Sequence, residues 1–281
     1  MSERGNVLLR VLSLGAGVQS TTLALMAAQG EISPMPDCAI FADTQSEPKA
    51  VYEHLSWLMS PNVLPFPVHV ETLGNLGIEI LKATRGESKR GSHARPPFFV
   101  RNPDGSKGQV RRQCTGDYKI DVIERKVRQL LGLRYRQRWP KEPVVEQWIG
   151  ISRDEAHRAK PSDRAAIERR YPLLELGMRR SDCLRWMARH GYPEPVKSAC
   201  TFCPFHDNKQ WRWLRDNDPQ GWKTAIELDA AIRQGLRPNS LGGELFVHNS
   251  LTPLNEVDLS TDAERGQGDL FANECEGLCG V

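Results

Sequence analysis

The stretch Val7-Leu8-Leu9-Arg10-Val11-Leu12-Ser13-Leu14-Gly15-Ala16-Gly17-Val18-Gln19-Ser20-Thr21-Thr22-Leu23-Ala24-Leu25-Met26-Ala27-Ala28 decides the fold. Its apolar run breaks at small residues between Ser13 and Thr22 and then turns helical, the pattern of a buried strand, a tight turn and a helix. Glycines let backbone approach a ligand closely, Ser and Thr add hydroxyls, and the amides at a helix N-terminus favour an anion. A phosphate is the expected guest, with Ser13, Gly15, Gly17, Gln19, Ser20 and Thr21 as candidate contacts. There is no G-x-x-x-x-G-K-[ST], and G-x-G-x-x-S lacks the third glycine of a dinucleotide fingerprint. The same turn also occurs in α/β proteins that bind nothing there.

Working outward, Asp37 to Asp43 reads as a second buried strand. Lys49 to Met59 follows as a helix with Val51, Leu55 and Leu58 on one face, Pro65 to Glu71 as a third strand, and Gly74 to Thr84 as a helix. Strands alternating with helices imply a mostly parallel, Rossmann-like α/β sheet whose ligands sit at the C-terminal strand ends. From Arg85 to Val110 the pattern dissolves into a loop rich in Gly, Ser, Pro and cations around Pro96-Pro97-Phe98-Phe99-Val100. A loop that long is usually functional or disordered, and the apolar cluster favours a substrate-facing lid over a solvated connection. Arg111-Arg112-Gln113-Cys114-Thr115-Gly116-Asp117-Tyr118-Lys119 then opens a helix to about Leu131. Cationic neighbours lower a thiol's pKa, which makes Cys114 a candidate thiolate ligand or nucleophile and Lys119 a candidate phosphate grip.

The strand Val144 to Ile151 delivers Arg153, Glu155 and Arg158; Arg forks suit phosphate, and Glu155 would orient them. Arg179 to His190 is an amphipathic helix with Cys183 on its core side. Cys200-Thr201-Phe202-Cys203 is a lone C-x-x-C, which permits zinc, a redox disulfide or an iron–sulfur cluster. Residues 207 to 234 read as two helices broken at Asp218-Pro219, in which Trp211, Trp213 and Trp222 pack a subdomain rather than stack bases. Leu236 to Val257 is loop-rich, and 258 to 281 is an acidic tail with Cys275 and Cys279. The expected organisation is a nucleotide-binding domain over 1–206, a helical subdomain over 207–257, and that tail.

The 281 residues are 39% hydrophobic and 26% charged, ordinary for a globular protein, and the net charge of +3 is too small to imply nucleic acid unaided. From Lys82 to Arg138, however, sixteen Lys or Arg stand against five Asp or Glu, so one face is expected to be basic. No apolar run approaches about 18 residues and the N-terminus has no cleavage-site pattern, so no membrane span is expected and a cytoplasmic location is. There, seven cysteines read as metal or redox thiols rather than a disulfide framework.

The loop Gly15 to Thr22 resembles the pyrophosphate-binding loop of the adenine-nucleotide α-hydrolase superfamily, which holds ATP pyrophosphatases and PAPS reductases. Phe41-Ala42-Asp43-Thr44 with Glu47-Pro48 is similar to the second strand of PAPS reductases. Gly150-Ile151-Ser152-Arg153-Asp154-Glu155-Ala156-His157-Arg158 is similar to their G-x-R-x-x-E-S-x-x-R segment, with Ala156 in place of Ser, and Tyr171 to Leu176 to the segment before their next helix. Arg112 to Lys119 resembles a segment of sulfurtransferases in the superfamily. Gln19 stands where ATP pyrophosphatases carry an acidic residue.

The resemblance implies ATP, APS or PAPS as nucleotide, with magnesium, bound by the loop together with Asp43, Thr44, Arg153, Glu155 and Arg158. Cys114 precedes Cys200 by 86 positions, similar to the arrangement that holds a [4Fe–4S] cluster in APS reductases and several thiolating enzymes. Cys114, Cys200 and Cys203 are then the implied iron ligands, with Cys275, Cys279, His206 or an exogenous sulfur as the fourth. Zinc and free thiols are the alternatives. The leading expectation is an ATP-dependent sulfurtransferase that adenylates an acceptor and inserts sulfur from a cysteine desulfurase-like donor, with nucleic acid as a possible acceptor. The alternatives are an APS/PAPS reductase using Cys275 or Cys279 with a thioredoxin-like partner, and a non-catalytic nucleotide- or nucleic-acid-binding regulator.

Overall fold

The computed structural model describes residues 7–88, 95–236, 243–261 and 264. Five strands form one all-parallel sheet: β1 (Leu9–Ser13), β2 (Cys38–Asp43), β3 (Val68–Thr72), β6 (Val145–Ile149) and β7 (Ile167–Arg170), in the spatial order β3-β2-β1-β6-β7. β1 is central, pairing on both sides; its Val11 and Leu12 are fully buried between Cys38–Ala39 of β2 and Gln147–Trp148 of β6. The strand order reverses between β1 and β6, so the crevice for a ligand opens at their C-terminal ends. β7, with the sequence IERR, pairs as an edge strand through Ile167 to Arg170. Its single buried apolar residue left no sequence signal.

Helices cover both faces. α1 (Val18–Ala28), α2 (Lys49–Leu58) and α6 (Arg180–Arg189) share a core with Leu12, Phe41 and Trp148. Nine of the eleven α1 residues are buried, Ser20, Thr21 and Thr22 among them, so this helix is enclosed on nearly every side within that layer. On the opposite face α4 (Asp121–Leu130) sets Val127 against Val11, Ile40, Val145 and Ile167.

A second core gathers α3 (Leu76–Arg85), α7 (Asn208–Asn217), α8 (Pro219–Ile232) and a small antiparallel sheet β5-β4-β8, made of β4 (Phe99–Arg101), β5 (Lys107–Gln109) and β8 (Glu244–Phe246). This corrects the lid expectation over its described part, residues 95–110. Phe98 is fully buried, Val100 nearly so, and the hairpin is pinned by Arg101 against Glu244 and by Phe99–Phe246 pairing. The apolar cluster there serves packing because β8, too short to read in the sequence, supplies the third strand. Trp211 is fully buried, and Trp213 and Trp222 lie against the same core, as expected of packing residues. The break at Asp218 holds because its carboxylate accepts the Gly221 N–H at 2.9 Å and Pro219 opens α8. α5 (Pro172–Glu175) is a single turn. Among the described residues no helix is long and apolar enough to cross a membrane.

Candidate functional site

The tips of β1, β2 and β6 converge. Gly17 caps α1 without a side-chain hydrogen bond, and no acidic residue occupies the first turn, so the amides beginning α1 face the crevice with no side chain capping them. Ala16 at the tip of β1 has φ 55° and Gln45 at the tip of β2 has φ 54°. A non-glycine residue in the left-handed region costs about 1–2 kcal/mol, and such strain collects at ligand sites. Ser20 braces the turn: its Oγ accepts the Gly15 N–H at 3.1 Å and donates to the Gly17 carbonyl at 3.3 Å.

Gly150 explains why α1 begins where it does. A Cβ there would stand 2.9 Å from Ser20 N, 3.0 Å from Ser20 Cα and 3.1 Å from Gln19 C, all backbone atoms. Only a glycine lets the end of β6 lie this close to the first turn of α1. The strand then hands on Ser152, buried, and a 3-10 turn over Arg153–Arg158. Gln19 Nε2 donates to Glu155 Oε2 at 3.1 Å and Arg158 Nη1 to Glu155 Oε1 at 2.7 Å, so three residues picked from two distant motifs form one chain. Burial pushes the Glu155 carboxyl up, against the nearby Arg158 guanidinium, which lowers it. Gln19 is thereby intelligible: an amide donates to Glu155, whereas an acid in its place would repel it.

One expected phosphate contact is corrected. Thr21 is fully buried with its hydroxyl 3.0 Å from His54 Nε2, so it ties α1 to α2 and does not face the crevice. Burial lowers the His54 pKa to about 4. Arg153 is an exposed residue whose backbone N–H donates to the Met178 carbonyl, while Asp154 accepts the Arg180 N–H at the start of α6. Asp43 is also engaged, accepting from the Tyr52 hydroxyl at 2.9 Å and the Gln45 N–H at 2.7 Å.

The cysteine motif folds against these same tips. Ser198 lies beside Gly17, Thr44 Oγ1 is 3.3 Å from Cys200 Sγ, and the Thr201 N–H donates to the Ser46 carbonyl at 2.8 Å. The Cys203 N–H closes the C-x-x-C turn onto the Cys200 carbonyl at 2.9 Å. His206 Nε2 also meets that carbonyl, at 3.0 Å, and burial holds the ring neutral with a pKa of about 4. His206 therefore braces the turn from behind, an arrangement that does not present it as a fourth ligand. Cys114 opens the helix leading into α4 through a π-turn over Gly116–Ile120, a feature frequent at functional sites. Lys119, on that turn, pairs with buried Glu47 at 3.6 Å. Cys200 feels the charges of Glu47, Lys119 and Cys114, and burial drives its thiol well above the ordinary range.

None of the five described cysteines is in a disulfide, and among the described residues no three His, Cys, Asp or Glu side chains converge on a point as a single metal ion requires. Cys38 and Cys183 are buried in the cores, the latter as expected. Cys275 and Cys279 lie outside the described residues.

Sequence reasoning missed Glu47 as a charge partner, Gln147 and Arg169. Ser13, Gly15, Phe41, Lys119, Gln147 and Arg169 line one small cavity under α4, where Gln147 Nε2 donates to Ser13 Oγ at 2.8 Å. Gln147 had a signal, as the lone neutral polar residue inside the apolar strand β6; Arg169, in the polar β7, had none. No protein-family model matches the chain, and no curated protein matches it. Among solved structures the chain is similar to the phosphoadenylyl-sulfate (PAPS) reductase from Candida auris in its phosphate complex, at 13% identity over 66% of this chain and 74% of that one, with a TM-score of 0.41.

Proposed function

We propose that the chain is an adenine-nucleotide-dependent sulfurtransferase of the ATP pyrophosphatase type. The observation that carries this reading is the meeting of the α1 turn and the cysteine motif: Ser198 against Gly17 and Cys200 against Thr44. A turn suited to phosphate with the C-x-x-C turn of Cys200 and Cys203 folded against the neighbouring strand tip supports sulfur chemistry in that crevice.

In the proposed reaction an acceptor oxygen attacks the α-phosphorus of ATP. The α–β phosphoanhydride breaks and pyrophosphate leaves; a sulfide-level sulfur then attacks the acceptor atom bearing the activated oxygen, and AMP departs with that oxygen. The amides opening α1 receive phosphate charge, and their fixed dipoles need no reorganisation as that charge grows. Glu155, held between Gln19 and Arg158, keeps the guanidinium aimed at the crevice. Lys119 provides a cation at the cysteine side. Magnesium would be held chiefly by the phosphates.

The donor set fits an iron–sulfur cluster by its chemistry: Cys114, Cys200 and Cys203 are thiols at a half-buried rim, two of them on one closed turn. Raised as it is by burial, the Cys200 thiol keeps its proton until a metal displaces it. When bound, such a cluster supplies an iron that holds the transferred sulfur.

The test is a thermal-shift titration of anaerobically purified protein with Mg-ATP, APS and PAPS in parallel. A ligand at about a hundred times its dissociation constant adds roughly 2.7 kcal/mol. Stabilisation by ATP alone is expected. Stabilisation by APS or PAPS alone transfers the argument to a reductase, and none at all refutes nucleotide binding.

A further inference from the structure

α4 ends in a loop, 131–143, whose Leu131 and Trp139 pack onto the core that includes Val127 and Val145, the first residue of β6. No acidic residue occurs between Arg125 and Lys141, and Arg125, Arg134, Arg136, Arg138 and Lys141 are all exposed without an ion pair among the described residues. Elsewhere the exposed Arg101, Arg164, Arg185 and Arg215 each hold a carboxylate, of Glu244, Glu124, Asp182 and Asp216. The turn is built rather than slack. The Gln137 N–H donates to the Arg134 carbonyl at 3.0 Å, and the Arg134 N–H donates to Gln137 Oε1 at 3.0 Å. From α4, Arg128 Nη2 donates to the carbonyls of Arg134 at 3.1 Å and Gln137 at 2.7 Å, with its guanidinium 5.2 Å from the Trp139 ring. One arginine is thus spent on holding the turn that presents the others. At the tip stands Tyr135, 89% exposed, with the Arg136 guanidinium 5.2 Å from its ring. Arg136 has φ 62°, where a glycine would sit without strain, yet the position carries a cation.

A fixed turn that lifts one aromatic ring into water among unpaired cations suits a polyanion with flat apolar faces. An acidic peptide has the charge without the faces, and a bilayer surface takes more apolar side chains than this one ring offers. A single strand of nucleic acid has both: a base stacks on the ring while neighbouring phosphates meet the guanidinium groups. We propose that the turn at Arg134–Arg138 is a binding platform for single-stranded nucleic acid, with Tyr135 as its stacking residue. Arg125, exposed midway along α4, carries the line of cations from this turn towards Lys119. The ten residues of α4 span about 15 Å, so a strand of several nucleotides reaches from the platform to the cysteine turn. The purpose of that reach rests on the sulfurtransferase reading; the binding itself does not.

The experiment is fluorescence anisotropy of a labelled single-stranded oligonucleotide of mixed sequence with the full chain, repeated across salt concentrations. Arg134→Gln/Arg136→Gln/Arg138→Gln removes three phosphate contacts, so the slope of log affinity against log salt becomes shallower by about 2, with a loss of about tenfold or more in affinity. Tyr135→Ala weakens binding about tenfold with the slope unchanged, and Tyr135→Phe, which keeps the ring, binds within about twofold of wild type. Arg185→Gln/Arg215→Gln, which removes paired surface cations elsewhere, leaves affinity within about twofold. The proposal is overturned if the triple variant or Tyr135→Ala binds like wild type, or if the Arg185/Arg215 pair loses as much as the triple variant. It is equally overturned if wild type binds phosphatidylserine vesicles and not the oligonucleotide. Failure to bind oligonucleotide in a chain whose melting temperature ATP raises refutes the platform and leaves the sulfurtransferase reading standing. Binding that depends on these four residues in a chain that ATP does not stabilise supports the platform and refutes that reading.

Discussion

Replacing Gly150 by alanine tests whether the end of β6 and the start of α1 are locked together. The added Cβ falls 2.9 Å from Ser20 N and 3.0 Å from Ser20 Cα. Carbon contacts are most favourable at about 3.5–4.0 Å, so backbone must retreat by roughly 0.5–1 Å. No flexible side-chain end is available to give way, and overpacking of this kind costs about 1–3 kcal/mol. In a chain of this size each kcal/mol lowers the melting temperature by about 2–4 °C, giving a fall of roughly 2–12 °C. Gly17→Ala is the control: a Cβ there meets Ser198 Cβ at 3.7 Å, an ordinary contact, and Gly17 has φ −98°. That variant is expected within about 1 kcal/mol of wild type. Scanning calorimetry of the two proteins decides the matter. Equal melting temperatures for Gly150→Ala and wild type, or a larger drop for Gly17→Ala, would refute the reasoning.

Gln19→Glu sets a carboxylate against Glu155 in place of a donor and should cost about 1–3 kcal/mol at pH 7, a penalty that shrinks on acidification as one of the two protonates; urea unfolding at both pH values reads it. His54 has its pKa lowered to about 4 in the fold, so above pH 6.5 its neutral form stabilises the protein, and about 3 kcal/mol is lost as pH falls from 6.5 towards 4. In His54→Gln the pH slope of stability across that window should fall by one proton. Asp229, 2% exposed, accepts from Arg233 Nη2 at 2.6 Å, Val247 N at 2.8 Å and Leu254 N at 3.1 Å. Asp229→Ala strands all three donors and should cost about 3–5 kcal/mol in thermal unfolding.

The parallel sheet was legible because β1, β2 and β6 are nearly continuous apolar runs, each followed by small or charged residues where a strand end meets solvent. β7 and β8 were not, since IERR buries one residue and ELF is only three residues long. The site was legible in part. Gln19, Glu155 and Arg158 lie together as one chain, and Thr44 touches Cys200, although neither link follows from spacing within any one motif. Thr21 misled because a threonine on the first turn of a helix faces inward or outward according to rotation alone; here α1 is buried on nearly every side, and the hydroxyl went to His54. Gly150 was read only as a letter of a motif. Its role depends on how closely two segments pass, and that distance is set by the assembled sheet.

The central claim is that nucleotide and cysteines share one cleft. Alkylation rates of metal-stripped protein with and without saturating Mg-ATP, read residue by residue by mass spectrometry, test it most directly. Cys38 and Cys183 serve as silent references, because burial pushes their thiols up to about 11 and about 12. ATP is expected to slow modification of Cys114 and Cys203 severalfold. ATP that raises the melting temperature yet leaves both rates unchanged would contradict the account.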